Sequence, residues 1–303
     1  MKKILYFLTG PTASGKTALG VQWAKANDAE ILSCDSLLFY KGMDIGTAKP
    51  CELEQQGVKH HGIDMASIDE QFDVKSYCDF SKTVIDDAYE RGKKLLILGG
   101  SGFYLKSFFV PVVDDIEVSE SFNNYVLSLY EEEGLMRIVT ELYKLNPDGL
   151  GDLDVCNPRR VQKALIRCLG TGKSLLELKK SFDKQAIPFP EFEKKVIILD
   201  RDPDILKDRI RSRVFNMLNF GLIDEVKRLV VQGIEKNPSA ASAIGYRETI
   251  RWLKSGHENE DDLSEAIILS TNKLVAKQRK WFRTQIKGAQ VVNLDKERAK
   301  IFN

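Results

Sequence analysis

The chain contains no Cys-x-x-Cys pair, although it holds five cysteines (Cys34, Cys51, Cys78, Cys156 and Cys168) in 303 residues. Thiols so widely spaced and odd in number argue against a zinc module or a disulfide frame and for a reducing compartment. An excess of one charge is missing too: 45 basic residues stand against 44 acidic ones, a net charge of +1. That excludes a global polycation, so any nucleic-acid surface must be local. No apolar run approaches the roughly 18 residues of a membrane span. The opening "MKKILYFLTGPT" carries two lysines and an apolar stretch of six residues. The apolar core of a secretory leader needs about 7–15, so a buried first strand is expected instead. Internal repeats and low-complexity linkers are also absent.

The remaining composition, 43% hydrophobic and 29% charged, is that of a soluble globular protein with one large or two ordinary domains. Apolar runs at 4–9, 29–35, 94–100 and 194–200 alternate with helical patterns at 16–27 and 74–91. Continuous apolar strands separated by helices predict an α/β core with a parallel sheet covered on both faces. Between the third and fourth strands the texture changes. Phe122, Tyr125, Val126, Leu129 and Tyr130 recur at helical spacing, as do Leu135, Ile138, Val139, Leu142 and Tyr143. Asn157-Pro158 opens a further helix as cap and first residue, and Gly170 is expected to close it. Residues 115–185 are therefore predicted to be a helical insertion, with the catalytic core formed by 1–114 and 186–303. After Asp200 the chain reads as helical almost to its end.

Charge is segregated locally. Residues 114–155 hold eleven acidic and two basic side chains, whereas 157–184 hold eight basic and two acidic. In "NPRRVQKALIRCLG" the apolar face leaves Arg159, Arg160, Lys163 and Arg167 for the exposed side, either as a solvated face or as a phosphate-binding one. Residues 266–294 contain six basic residues, no acidic ones, and Trp281 and Phe282 among them. That mixture suits phosphate contact combined with base stacking.

The strongest motif is "GPTASGKT" at 10–17, a phosphate loop between a strand and a helix. Gly10, Pro11, Thr12, Ala13, Ser14, Gly15, Lys16 and Thr17 would cradle phosphate oxygens at a helix N-terminus, with Lys16 as the point charge and Thr17 reaching Mg²⁺. Guanine recognition needs Asn-Lys-x-Asp, and the nearest string, "TNKLV", has Val275 at the Asp position. The second strand runs out at Asp35, at the carboxyl ends of the strands, outside which ligands of open α/β sheets sit. Asp35 is either a turn cap or a group in the same crevice. In "LKDRIRSRV", Arg209 and Arg213 share a helix face, for surface ion pairs or for phosphate.

With "DSLLFYKGMDIGTAKP" (35–50), "HHGID" (60–64), "GGSGFYLK" (99–106), "NPRRVQKAL" (157–165), "AIGYRE" (243–248) and "KQRKWFR" (277–283) in the same order, the sequence resembles the tRNA dimethylallyltransferases over nearly its whole length. The resemblance implies a P-loop NTPase-like fold whose loop grips the diphosphate of dimethylallyl diphosphate rather than ATP. It implies transfer of the dimethylallyl group to N6 of the adenine 3′ of the tRNA anticodon. Asp35 would be the base, Thr12 would sit near the bridging oxygen, and Lys16, Arg209 and Arg213 would hold the diphosphate with Mg²⁺ on Thr17. Ser101 would line the channel for the target base. The anticodon arm would be gripped by Asp35, Ser36, Leu37 and Leu38, by Arg159, Arg160, Val161, Gln162 and Lys163, by Ser242, Ala243, Ile244, Gly245, Tyr246 and Arg247, and by Gln278. The family often carries Arg near 123 and 272, where this chain has Asn123 and Asn272. His60 and His61 match the family and are expected to be a hydrogen-bonding pair rather than a metal site. A cytoplasmic monomer is expected. Two other readings stay open on the sequence alone: an adenylate isopentenyltransferase and an ATP-consuming phosphate-loop protein.

Overall fold

A computed structural model describes residues 3–114, 116–256, 259–296 and 301–302. The chain forms two compact units, Met1–Phe109 with Phe189–Asn303, and Val110–Pro188. The first is built on a parallel sheet of six strands: β1 (Lys3–Thr9), β2 (Ala29–Ser33), β3 (His60–His61), β4 (Lys94–Gly99), β5 (Phe192–Asp200) and β6 (Gln290–Asn293), in the order β3-β2-β4-β1-β5-β6. Four of these are the apolar runs of the sequence. Leu5, Phe7, Leu32, Leu95 and Ile97 face one helical layer, and Leu8, Ile31, Leu96, Leu98 and Leu199 face the other.

Two strands depart from expectation. β6 interrupts the predicted helical ending: after helix Glu260–Gln285 the chain turns back to pair Ile198 with Val291 and Leu199 with Val292. β3 is a two-residue edge strand pairing His60 with Ile31 and His61 with Leu32. Side chains rather than strand propensity hold it. His61 Nε2 lies 2.7 Å from Glu30 Oε2, and Arg91 donates to both Glu30 oxygens at 2.6 and 2.8 Å. The Arg91 hydrogen bonds, then that of His61, hold the buried Glu30 carboxyl down at about 2. The histidine pair is thus hydrogen-bonded, as expected.

The second unit packs helix Glu120–Leu145, kinked at Gly134, against helix Pro158–Thr171 through Val126, Leu129, Ile138, Leu142, Val161 and Leu165. Asn157 Oδ1 caps the latter by accepting from the Arg160 amide at 3.2 Å. The helix ends at Gly172 (φ 66°), not at Gly170. Gly170 lies inside it, where a Cβ would meet Val118 Cγ1 at 2.6 Å. Close packing, not chain reversal, is what that glycine serves.

The strand order matters most for the site. β4 lies between β2 and β1, so the carboxyl ends of all three open side by side. The phosphate loop after β1, Asp35 after β2 and the glycines after β4 therefore meet in one crevice.

Candidate active site

The phosphate loop takes its shape from backbone sterics. Gly10 has φ +149°, and a Cβ there would lie 2.2 Å from the Leu199 carbonyl oxygen, so only glycine lets the loop cross β5. Two arginines hold its outer side: Arg201 Nε donates to the Ser14 carbonyl at 2.9 Å and Arg209 Nε to the Ala13 carbonyl at 2.8 Å. Helix Lys16–Ala26 starts with no side-chain cap, leaving its first amides for an anion. Lys16 Nζ reaches the Pro11 carbonyl at 3.2 Å.

Across the crevice, Asp35 Oδ1 accepts from the Leu37 amide at 3.1 Å. The residue is therefore both a turn cap and a member of the crevice. Asp35, Lys16 and Arg213 interact electrostatically. Burial pulls the Lys16 ammonium down to about 8, with Asp35 opposing and Arg213 adding to the shift. Burial likewise lowers Arg213, and Asp35 opposes it. Two cations held close and partly desolvated want an anion.

These groups floor a cavity of about 590 Å³ that also takes in Thr12, Thr47 and Ser101. Its walls are apolar, with Val214, Met217, Ile244, Ile267, Leu274 and Trp281 among them. Gln278 ties the floor together: its Oε1 accepts from the Thr12 amide at 2.9 Å, and its Nε2 donates to the Gly100 carbonyl at 3.0 Å. Ser101 Oγ accepts from the Ser36 amide at 3.1 Å, locking Ser101 to the loop that carries Asp35.

A smaller recess of about 70 Å³ lies beside the floor, lined by Thr17, Asp35, Ser33 and His60 among others. His60 Nδ1 faces the Val58 carbonyl at 2.8 Å, which makes it the protonated nitrogen and leaves Nε2 an acceptor. Among the described residues His60 Nε2 and Ser33 Oγ are both buried without a hydrogen-bond partner. Among the described residues no cluster of three or more His, Cys, Asp or Glu could hold a metal alone. Hard oxygen donors and unsatisfied acceptors for water fit Mg²⁺, which keeps several waters and takes much of its shell from phosphates.

The remaining predicted contacts fall in several settings. In the second unit Asn123, Arg159, Arg160 and Lys163 are exposed, Gln162 is half-buried and Val161 lies in the core. Arg167 is turned onto Asp114. In the first unit Ser242 and Ile244 line the cavity, whereas Tyr246 is fully buried, its hydroxyl donating to Glu225 at 2.6 Å. Arg247 is engaged by Glu248 and Ser270. Leu38 lines the recess. Asn272 donates to the Ile268 carbonyl within its own helix at 3.0 Å.

The IPP transferase family model matches residues 38–285. The chain belongs to the IPP transferase family. It is 48% identical to the tRNA dimethylallyltransferase of Opitutus terrae over 94% of this chain and 91% of that one, and 36% identical to that of Oceanobacillus iheyensis over 94% and 90%. Among solved structures, the tRNA isopentenylpyrophosphate transferase of Bacillus halodurans superposes with a TM-score of 0.69 at 30% identity over 97% of this chain and 90% of that one. A eukaryotic dimethylallyltransferase acting on tRNA superposes with a TM-score of 0.81 at 26% identity over 97% and 74%. This IPP transferase thus has the expected P-loop NTPase-like sheet. No described helix is long and apolar enough to cross a membrane. Sequence reasoning misses three supports of the site: Thr47, whose carbonyl accepts from Arg213 at 3.0 Å, the structural use of Gln278, and Glu225, which accepts from the amides of Asp44, Ile45 and Gly46. None carries a spacing signal, because each acts through backbone groups distant in sequence.

Proposed function

We propose that the protein transfers the dimethylallyl group of dimethylallyl diphosphate to N6 of the adenine 3′ of a tRNA anticodon. One observation carries this reading: a single cavity sets two partly desolvated cations and a carboxylate against an apolar wall. The diphosphate fits the floor and the five-carbon group the wall. A stacked loop adenine would be flipped out to enter between them. The N6–C1 bond forms as the C1–O bond to the diphosphate breaks. Lys16, Arg213 and the uncapped amides offset the charge that gathers on the leaving group, while Arg209 braces the loop from outside through the Ala13 carbonyl. Asp35 accepts the N6 proton, since an adenine amine, its lone pair drawn into the ring, cannot attack without losing one. Thr17 and the diphosphate oxygens would hold Mg²⁺, with Ser33 and His60 accepting from its waters. When bound, it supplies further positive charge to the diphosphate. The enzyme is taken to act as a cytoplasmic monomer.

The test omits ATP. Protein, Mg²⁺ and labelled dimethylallyl diphosphate are incubated with an anticodon stem-loop or with AMP. Label on the RNA is expected; label on AMP alone, or transfer that appears only once ATP is added, overturns the assignment.

Diphosphate binding should depend on pH through Lys16. Its folded-state value, about 8, lies below the ordinary 10.5, while the bound diphosphate favours the ammonium, so binding takes up a proton above that pH. The Lys16 contribution to affinity is expected to be level below about pH 7 and to fall by up to about tenfold per unit above 8. Calorimetry with inorganic diphosphate from about pH 6.5 to about 9.5, read against Lys16→Ala to subtract the ionisation of the ligand itself, checks it, and parallel profiles in the two proteins remove Lys16 from the site.

For the RNA, the exposed Arg159, Arg160 and Lys163 are assigned to tRNA phosphates. Replacing all three by Ala should weaken binding and make the negative slope of log K against log salt shallower by about 2–3. An unchanged slope in filter binding over a salt series would make that face merely solvated.

A further inference from the structure

Glu225, on helix Leu222–Val231, is only 1% exposed. Among the described residues it forms no ion pair with a Lys or Arg. A buried carboxylate is tolerated only when it is fully hydrogen-bonded, and Glu225 spends its oxygens on one loop. Oε2 accepts from the amides of Asp44 (3.2 Å) and Ile45 (2.8 Å), and Oε1 from the amide of Gly46 (3.2 Å) and the Tyr246 hydroxyl (2.6 Å). Three successive amides converging on a charge are strong, directional bonds, and they fix the position of the next residue, Thr47. The Thr47 carbonyl accepts from Arg213 Nη2 at 3.0 Å. Gly46 makes the fit exclusive: a Cβ there would lie 2.5 Å from the Tyr246 ring and 2.8 Å from its hydroxyl.

We propose that Glu225 is a positioning residue for the transfer reaction, acting through the 44–47 loop to hold the Arg213 guanidinium against the diphosphate. Neither Glu225 nor Tyr246 lines the cavity, so the effect passes entirely through backbone. The inference rests on the assignment of Arg213 to the diphosphate. It also gives the buried Tyr246 a role that needs no surface, as the fourth donor that completes the carboxylate.

A double-mutant cycle tests it, with inorganic diphosphate affinity read by calorimetry, and KM for dimethylallyl diphosphate, stem-loop affinity and Tm measured alongside. Glu225→Gln, which removes the charge and turns an amide nitrogen toward an N–H donor, is expected to weaken diphosphate binding by about tenfold or more, as loss of a supporting hydrogen-bond partner does. Stem-loop affinity should stay within about twofold. In an Arg213→Ala background the same substitution should change diphosphate affinity by less than about twofold, because the group it acts through is gone. Equal losses in both backgrounds would mean that Glu225 serves only the fold, and would overturn the proposal while leaving the site intact. Full diphosphate affinity in the Arg213→Ala single variant would instead overturn the site assignment and this inference with it. Should Glu225→Gln fail to fold, Tyr246→Phe removes one of the four bonds. It should give a smaller loss that again vanishes in the Arg213→Ala background, and a loss that persists there overturns the proposal.

Discussion

Asp35→Ala is expected to lower kcat by about 10²–10⁴-fold, the usual worth of a positioned base, with stem-loop affinity nearly unchanged. The expectation follows from where the carboxylate sits. It shares the cavity floor with Lys16 and Arg213, and its field opposes the lowering of both cations by burial. Because Oδ1 also caps the Leu37 amide at 3.1 Å, the alanine variant removes a turn bond together with the chemical group. Asp35→Asn separates the two. Asparagine retains a carbonyl oxygen for the Leu37 amide but cannot accept a proton from N6, so it should be nearly as slow as alanine in single-turnover transfer of labelled prenyl. An asparagine variant within about threefold of the parent rate would show that the turn, not the base, was lost.

The second large effect is expected at the cation. Lys16→Ala should cost about 10²–10³-fold in kcat, comparable to the loss of a preorganised donor at a developing negative charge, and raise KM for the allylic diphosphate. The ammonium sits at the start of helix Lys16–Ala26, where uncapped amides already favour an anion. The penalty it bears when empty, visible as its lowering to about 8, is relieved only when an anion arrives. Lys16→Arg should not rescue, since a planar fork does not replace a compact ammonium in a loop closed around it. The steady-state rate with saturating stem-loop decides. A change below about tenfold would place the diphosphate elsewhere.

Much of the site is legible in the amino-acid sequence. Its most informative residues are those whose chemistry depends on close spacing along the chain. Gly10 through Thr17 form one loop, so one stretch shows both the cradle and its cation. Arg209 and Arg213 lie one helical turn apart, so periodicity puts them on one face, but only Arg213 lines the cavity while Arg209 holds the Ala13 carbonyl. The basic helix is legible for the same reason, except that Arg167 is turned onto Asp114, fifty-three residues away. Short edge strands are not legible. His60–His61 owes its place to Glu30 and Arg91, and β6 to a register with β5, neither of which leaves a local pattern. Gly170 and Gly172 sit at the same helix end, and only the approach of Val118 distinguishes a packing glycine from a capping one.

By itself the sequence determined a parallel α/β core, a glycine-rich loop at its first crossover and a helical insertion with divided charge, because each is written in neighbouring residues. The tertiary structure alone decided what the loop faces. The order β2-β4-β1 brings Asp35, Lys16 and Ser101 to one opening, and Gln278 and Glu225 secure that opening through backbone groups roughly 180 to 270 residues away. Strand order and buried hydrogen bonds link distant parts of the chain, and a linear pattern of side chains carries no trace of such links.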